Sequence, residues 1–188
     1  KKYNIRLNEE NILLVQHPVT TENRNVVKQI SETLQAIVKI EKNTIIIGPN
    51  SDTGNKDIQE IIKKVAKNNN LIKVYENIPR QDFLGFLNNC KVLVGNSSSG
   101  MIEASLFKIP VVNIGIRQKN REHGPNVINV KEFSKIKIGI AIKKALSKKE
   151  TELEVSKIYG NQKVAKKMIN ILEKINVDKE LMEKGLTY

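Results

Sequence analysis

The 188-residue sequence has no tryptophan, a single cysteine, and aromatic side chains at only 4% of its positions. With no second cysteine, Cys90 cannot close an internal disulfide or join a thiolate cluster around a metal. Its place at the end of an amphipathic run marks it as a buried structural thiol. Scarce aromatics leave few platforms on which single-stranded nucleic acid could stack. No stretch approaches the roughly 20 consecutive apolar residues of a membrane-spanning helix. The opening KKYNIRLNEE also lacks the apolar core of a secretory signal. These absences lead to the expectation of a cytoplasmic protein with no membrane partner.

Arginine is scarce too, confined to Arg6, Arg24, Arg80, Arg117 and Arg121, although the formal net charge is +12. A strongly basic chain attracts phosphates, but the excess here comes from lysines such as Lys63, Lys64, Lys143, Lys144, Lys148 and Lys149, at scattered helical positions. Solvated helix faces account for that pattern, and nucleic acid is not expected as a partner. A hydrophobic content of 39% with 28% charged residues is ordinary for a globular chain. The length suits one α/β domain with a single core.

Short apolar runs alternate with amphipathic stretches along most of the chain. NILLVQ at 11–16 reads as a buried strand, stopped by His17-Pro18 because a residue before proline is pushed out of helix. From Thr21 to Ile40 the apolar residues recur at helical spacing behind the start signal Thr20-Thr21-Glu22. The alternation repeats with strands at 44–48, 71–75, 91–94, 110–114 and 126–130. Helices are expected over 55–67, through Phe83, Phe86 and Leu87, and from about Ser99 to Phe107. After residue 131 the pattern is helical, through Leu146, then Val164–Ile175 and Asp178–Lys184, with a charged loop at Ser147–Glu154. Continuous apolar strands alternating with helices imply a doubly wound parallel sheet, a Rossmann-like α/β fold. Ligands of such sheets bind outside the carboxyl ends of the strands. The segments to interrogate are therefore 17–22, 48–55, 76–82, 95–99 and 115–125.

The stretch VLVGNSSSGMIEASLFKIPVVNIGIRQ, residues 92–118, carries most of the chemistry. A strand ends at Gly95, and Ser97, Ser98 and Ser99 fill the turn before a helical segment. Unsatisfied N–H groups and small hydroxyl donors there suit a diphosphate, while the competing reading is an ordinary serine helix cap. Glu103, one turn on, could accept from ribose hydroxyls or could simply complement the helix dipole. Arg117 and Arg121 share a loop with His123. A guanidinium fork matches phosphate oxygens, though exposed arginines in loops are commonly plain surface. His17 stands at the end of the first strand, at the expected ligand rim.

QHPVTTE at 16–22, GNSSSGMIEA at 95–104, PVVNIGIRQKNRE at 110–122 and NVINV at 126–130 resemble the hydrolysing UDP-N-acetylglucosamine 2-epimerases. The resemblance covers about residues 11–150. The non-hydrolysing branch carries a His-Arg-Arg-Glu-Asn type segment in place of HPVTTE. Many glycosyltransferases of the same two-domain architecture place a second glutamate where this chain has Val111. The resemblance implies a GT-B-type two-domain fold of which this chain is the C-terminal half. Residues 1–10 would be a linker or remnant, 11–175 the UDP-binding domain and 176–188 a helical tail.

The resemblance also implies roles. Ser97, Ser98 and Ser99 would bind the diphosphate, Glu103 the ribose, and Arg117 the phosphates. Ile78 and Phe83 would flank the uracil, although Phe83 reads equally as ordinary helix-face core. His17 would face the reacting sugar and the leaving pyrophosphate. The implied reaction converts UDP-N-acetylglucosamine to N-acetylmannosamine and UDP by elimination and hydration, as in sialic acid biosynthesis, without a metal or an organic cofactor. The acidic residues would come from the absent first domain, so this chain alone is expected to be inactive, and the parent enzyme is expected to be a homo-oligomer. Open alternatives are a UDP-diacetamido sugar as substrate, the C-terminal half of a glycosyltransferase, and a non-catalytic UDP-sugar-binding domain.

Overall fold

The computed structural model describes residues 3, 5, 10–20, 25–148, 158–159 and 163–178, in two compact units, Lys1–Ser156 and Lys157–Tyr188. The first unit holds six strands: β1 (Ile12–Val15), β2 (Thr44–Ile47), β3 (Ile72–Tyr75), β4 (Val92–Gly95), β5 (Val111–Ile114) and β6 (Val127–Val130). Its helices are α1 (Val26–Val38), α2 (Asn55–Lys67), α3 (Arg80–Asn89) and α4 (Lys135–Leu146). Every strand pair is parallel and the order is β3-β2-β1-β4-β5-β6. The doubly wound sheet expected from the alternation is therefore present, with its topological switch between β1 and β4.

The strands read as unbroken apolar runs because both faces of the sheet are covered. Successive residues of β1 enter opposite cores. Ile12 and Leu14 join Ile30, Leu34, Ile37, Ile58 and Ile142 beneath α1, α2 and α4. Leu13 and Val15 join Phe86, Leu87, Cys90 and Met101 on the α3 side. Cys90 is buried as expected, its thiol bonded to the Leu87 carbonyl at 3.2 Å and pushed up to about 12 by burial. Tyr3 and Ile5, ahead of β1, pack against this second core. The Tyr3 hydroxyl bonds to the Asp82 carboxylate, its carbonyl accepts from the Tyr75 hydroxyl at 2.6 Å, and its ring meets Phe86 edge-on at 4.9 Å.

Helix α1 spans Val26–Val38, and the start signal expected at 20–22 falls mostly on residues 21–24, outside the described residues. The helix expected over Ser99–Phe107 is corrected. A single 3-10 turn, Ser98–Gly100, is followed by turns whose hydrogen bonds span three, four and five residues. Met101 donates to Ser98, Glu103 to Ser99, and both Ala104 and Ile109 close five-residue loops. No single period is sustained, so no regular α-helix forms. Lys108, at a φ of 53°, reverses the chain into β5.

The second unit contributes α5 (Val164–Leu172), none of whose residues is buried. Most of the expected helix at 178–184 and most of the charged loop at 147–154 fall outside the described residues.

Candidate functional site at the β1–β4 switch

Parallel strands that diverge at a switch point leave a crevice at their carboxyl ends, where neither neighbouring crossover blocks access. Here β1 delivers His17 and β4 delivers the turn beginning at Asn96. Gly95 makes the junction possible. Its φ of 128° lies where side chains are rarely accommodated, and a Cβ there would stand 2.1 Å from the Val15 carbonyl oxygen.

Asn96, only 1% exposed, ties three strand ends together. Its side-chain oxygen accepts from the His17 N–H at 2.7 Å, and its amide donates to the His17 carbonyl at 2.9 Å. Its own carbonyl accepts from the Arg117 guanidinium at 3.3 Å and from the Gln118 amide at 2.9 Å, both in the loop after β5. Asn50, after β2, completes the ring by donating its N–H to His17 Nδ1 at 3.0 Å. Its side-chain amide bonds to Asp52 at 2.6 Å. Beside this network a cavity of about 340 Å³ is lined by Pro18, Val19, Thr20, Asp52, Ile116 and Arg117.

Because Nδ1 of His17 accepts the Asn50 N–H, the ring's proton resides on Nε2. Burial holds the ring neutral, with the Arg117 guanidinium acting in the same direction and Asp52 opposing, so its pKa falls from 6.5 to about 4. His17 is thus a neutral Nε2–H donor at physiological pH. Between pH 6.5 and 4 the unfolded chain binds a proton at this position that the folded chain refuses. The contribution to stability is fully present above about pH 6.5 and fades as pH falls toward 4. Discounted for partial exposure, it is on the order of 2 kcal/mol. Urea titrations of the wild type and His17→Gln at pH 7 and pH 4.5 test this, with the stability difference between the two shrinking at the lower pH. An unchanged difference would show that His17 titrates normally in the folded chain.

The serines divide in two. Ser99 is buried, its hydroxyl 2.8 Å from that of Ser97, and its N–H donates to Ser97 Oγ at 3.4 Å. Ser97 and Ser98 are half-buried, and their N–H groups donate to no acceptor among the described residues. Glu103 bonds Arg80 at 3.1 Å. Ile78 and Phe83 are half-buried on the second core, Phe83 in the first turn of α3. Arg121 and His123 do not join Arg117. Arg121 is exposed, and His123 contacts Asn129 at 3.0 Å and the Gly124 carbonyl at 3.0 Å. Reading the sequence missed Asn50, Asn96 and Gln118 as site residues. All three lie in the strand-end segments marked for scrutiny, which was the available signal. No helix among the described residues is long and apolar enough to cross a membrane, and no group of His, Cys, Asp and Glu among them could hold a metal.

The family model for UDP-N-acetylglucosamine 2-epimerase matches residues 1–173. A Legionella pneumophila protein, UDP-N,N'-diacetylbacillosamine 2-epimerase (hydrolyzing), is 31% identical over 188 residues, all of this chain and 49% of that protein. The polysialic acid biosynthesis protein P7 of Escherichia coli is 40% identical over 121 residues, 63% of this chain and 30% of that one. Among solved structures, Methanocaldococcus jannaschii UDP-GlcNAc 2-epimerase in complex with UDP-GlcNAc and UDP superimposes with a TM-score of 0.70. It is 23% identical and covers 88% of this chain and 46% of its own. Heptosyltransferases and a trehalose-phosphate synthase superimpose less well, at 0.55 to 0.57. This sheet is one half of a GT-B-type architecture, and the chain spans about half the length of the curated relatives it matches. With the family model matching most of the sequence, the chain belongs to the UDP-N-acetylglucosamine 2-epimerase family.

Proposed function

We propose that this chain forms the UDP-gripping half of a hydrolysing UDP-N-acetylglucosamine 2-epimerase. The observation that carries the reading is the convergence, through Asn96, of a neutral His17, Arg117 and the Ser97–Ser98 turn at one rim. N–H groups without acceptors and two accessible hydroxyls are suited to diphosphate oxygens, and a neighbouring guanidinium adds charge. Ser99, bonded to Ser97, would hold the turn in shape. Glu103 would take the ribose, with Ile78 and Phe83 beside the uracil.

In the reaction, the C2 proton leaves the sugar as the C1–O bond to UDP breaks, giving a glycal. Water then adds across the double bond, and C2 emerges inverted in N-acetylmannosamine. His17, as a neutral donor, would hydrogen-bond the departing phosphate oxygen through Nε2–H. The carboxylates that move the C2 proton would lie on the other half of the enzyme. The product fits sialic acid synthesis, and a nucleotide-sugar substrate fits the cytoplasm. A second reading concerns the sugar: a relative that matches the whole chain is named for UDP-N,N'-diacetylbacillosamine. The sugar contacts that would choose between the two substrates would lie mainly on that other half.

Calorimetric titration with UDP and uridine tests the nucleotide assignment. Glu103→Gln is expected to weaken both ligands, whereas Ser98→Ala is expected to weaken UDP and leave uridine nearly unchanged. Loss of a hydrogen bond to a charged group corresponds to roughly tenfold or more in affinity. Equal effects of Ser98→Ala on both ligands would remove the diphosphate from this turn.

A further inference from the structure

Arg80 was not among the residues expected at the site, yet it makes the only side-chain bond of Glu103 among the described residues. Its Nη2 donates to Glu103 Oε1 at 3.1 Å, while Oε2 bonds to none of them. The Glu103 side chain is 17% exposed and that of Arg80 73%. Arg80 opens α3 directly after Pro79, whose φ of −56° and ψ of 146° turn the chain into the helix. Ile78 and Phe83 flank it in sequence. One ion pair therefore joins the first residue of α3 to the segment that follows the serines.

Solvent screens so exposed a pair, and holding two long side chains in one geometry opposes it, so it adds little to folding. Orientation is the property it controls. A carboxylate free to rotate offers its four lone-pair positions in no fixed plane, and a vicinal diol needs a defined one. The single bond from the Arg80 guanidinium to Oε1 restricts rotation of the Glu103 carboxylate and leaves Oε2 to accept.

We propose that Arg80 is a positioning residue for ribose recognition: by holding Oε1 of Glu103 it aims Oε2 at the sugar hydroxyls and favours ribonucleotides over 2′-deoxyribonucleotides. This inference rests on the uridine-nucleotide reading of the site. It assigns Arg80 an effect that passes through Glu103 and not through the phosphates.

The test is calorimetric titration of the 188-residue chain and its Arg80→Gln, Arg80→Lys, Glu103→Gln and Arg80→Gln/Glu103→Gln variants with UDP, 2′-deoxy-UDP and uridine. Arg80→Gln is expected to weaken UDP and uridine by the same factor, about threefold to fivefold, and to shrink the preference for UDP over 2′-deoxy-UDP by a similar factor. Arg80→Lys recovers part of that preference, because it keeps the charge without the fork. In the Glu103→Gln background the Arg80 substitution changes nothing further. The inference is overturned if Arg80→Gln leaves the UDP to 2′-deoxy-UDP ratio at its wild-type value. It is equally overturned if UDP loses much more than uridine, which would place Arg80 on the phosphates, or if the full effect persists without Glu103. A wild-type chain that binds none of the three ligands overturns the nucleotide reading and this inference with it. Wild-type binding with an unmoved ratio overturns the role of Arg80 alone.

Discussion

In a two-domain enzyme of this family carrying these residues, His17→Ala is expected to lower kcat by about 10² or more, the usual scale for losing one preorganised hydrogen-bond donor to a developing charge. The UDP affinity of the present chain is expected to change by only about 1 kcal/mol, as for one ordinary hydrogen bond. The split follows from geometry. Asn50 occupies Nδ1, so the ring has one free proton to offer, at Nε2, and burial keeps it from becoming a cation. A neutral donor binds a resting diphosphate modestly and gains strength as negative charge develops on the leaving oxygen. An interaction that grows toward the transition state lowers kcat and kcat/KM together, whereas uniform binding appears in KM alone. Steady-state kinetics of the variant enzyme beside UDP titration of this chain separate the two cases. A rise in KM at normal kcat would make His17 a binding residue.

Gly95→Ala is expected to destabilise the folded unit by about 3 kcal/mol or more, a large share of the roughly 5–15 kcal/mol that holds a domain together. Two causes act together. The backbone at φ 128° is strained for any residue with a Cβ, and the added methyl would meet the Val15 carbonyl oxygen at 2.1 Å. Relief is not available from a flexible side chain, because the obstacle is the backbone of β1, paired in register with Gly95 itself. Urea denaturation measures the effect, and a loss below about 1 kcal/mol would mean that the two strands can part there without penalty. Since the same junction sets the spacing between His17 and Asn96, any variant that folds is expected to bind UDP less tightly as well.

The fold was legible in the sequence because its signal is local. Strands covered on both faces cannot hide their apolar continuity, and β1 through β6 lie within a residue or so of the runs that announced them. The segment after Ser99 was misread for an equally local reason. Met101, Ala104, Ser105 and Phe107 mimic a helical period, but the hydrogen bonds that the chain makes there alternate between spans of three, four and five. At the site, strand ends are readable and partnerships are not. His17 meets Asn50 across 33 residues and Asn96 across 79, and Arg80 meets Glu103 across 23. Nothing in the local pattern of either partner records such pairings, because only the winding of the sheet brings them together. The tautomer of His17 is set by one of these distant contacts, so its chemistry could not be deduced from QHPVTTE alone.

The clasp around Tyr3 bears on where this unit can be cut for study by itself. The sequence pattern starts the domain at residue 11 and sets residues 1–10 apart as a linker or remnant of the preceding segment. The aromatic ring of Tyr3, however, is an inner brick of the wall beneath α3, set against Tyr75 and Phe86 and hydroxyl-bonded to Asp82. A clone trimmed to Asn11 would strip that wall and present the rings of Tyr75 and Phe86 to water, leaving an adhesive apolar surface beneath α3. The useful cloning edge therefore lies upstream of Tyr3.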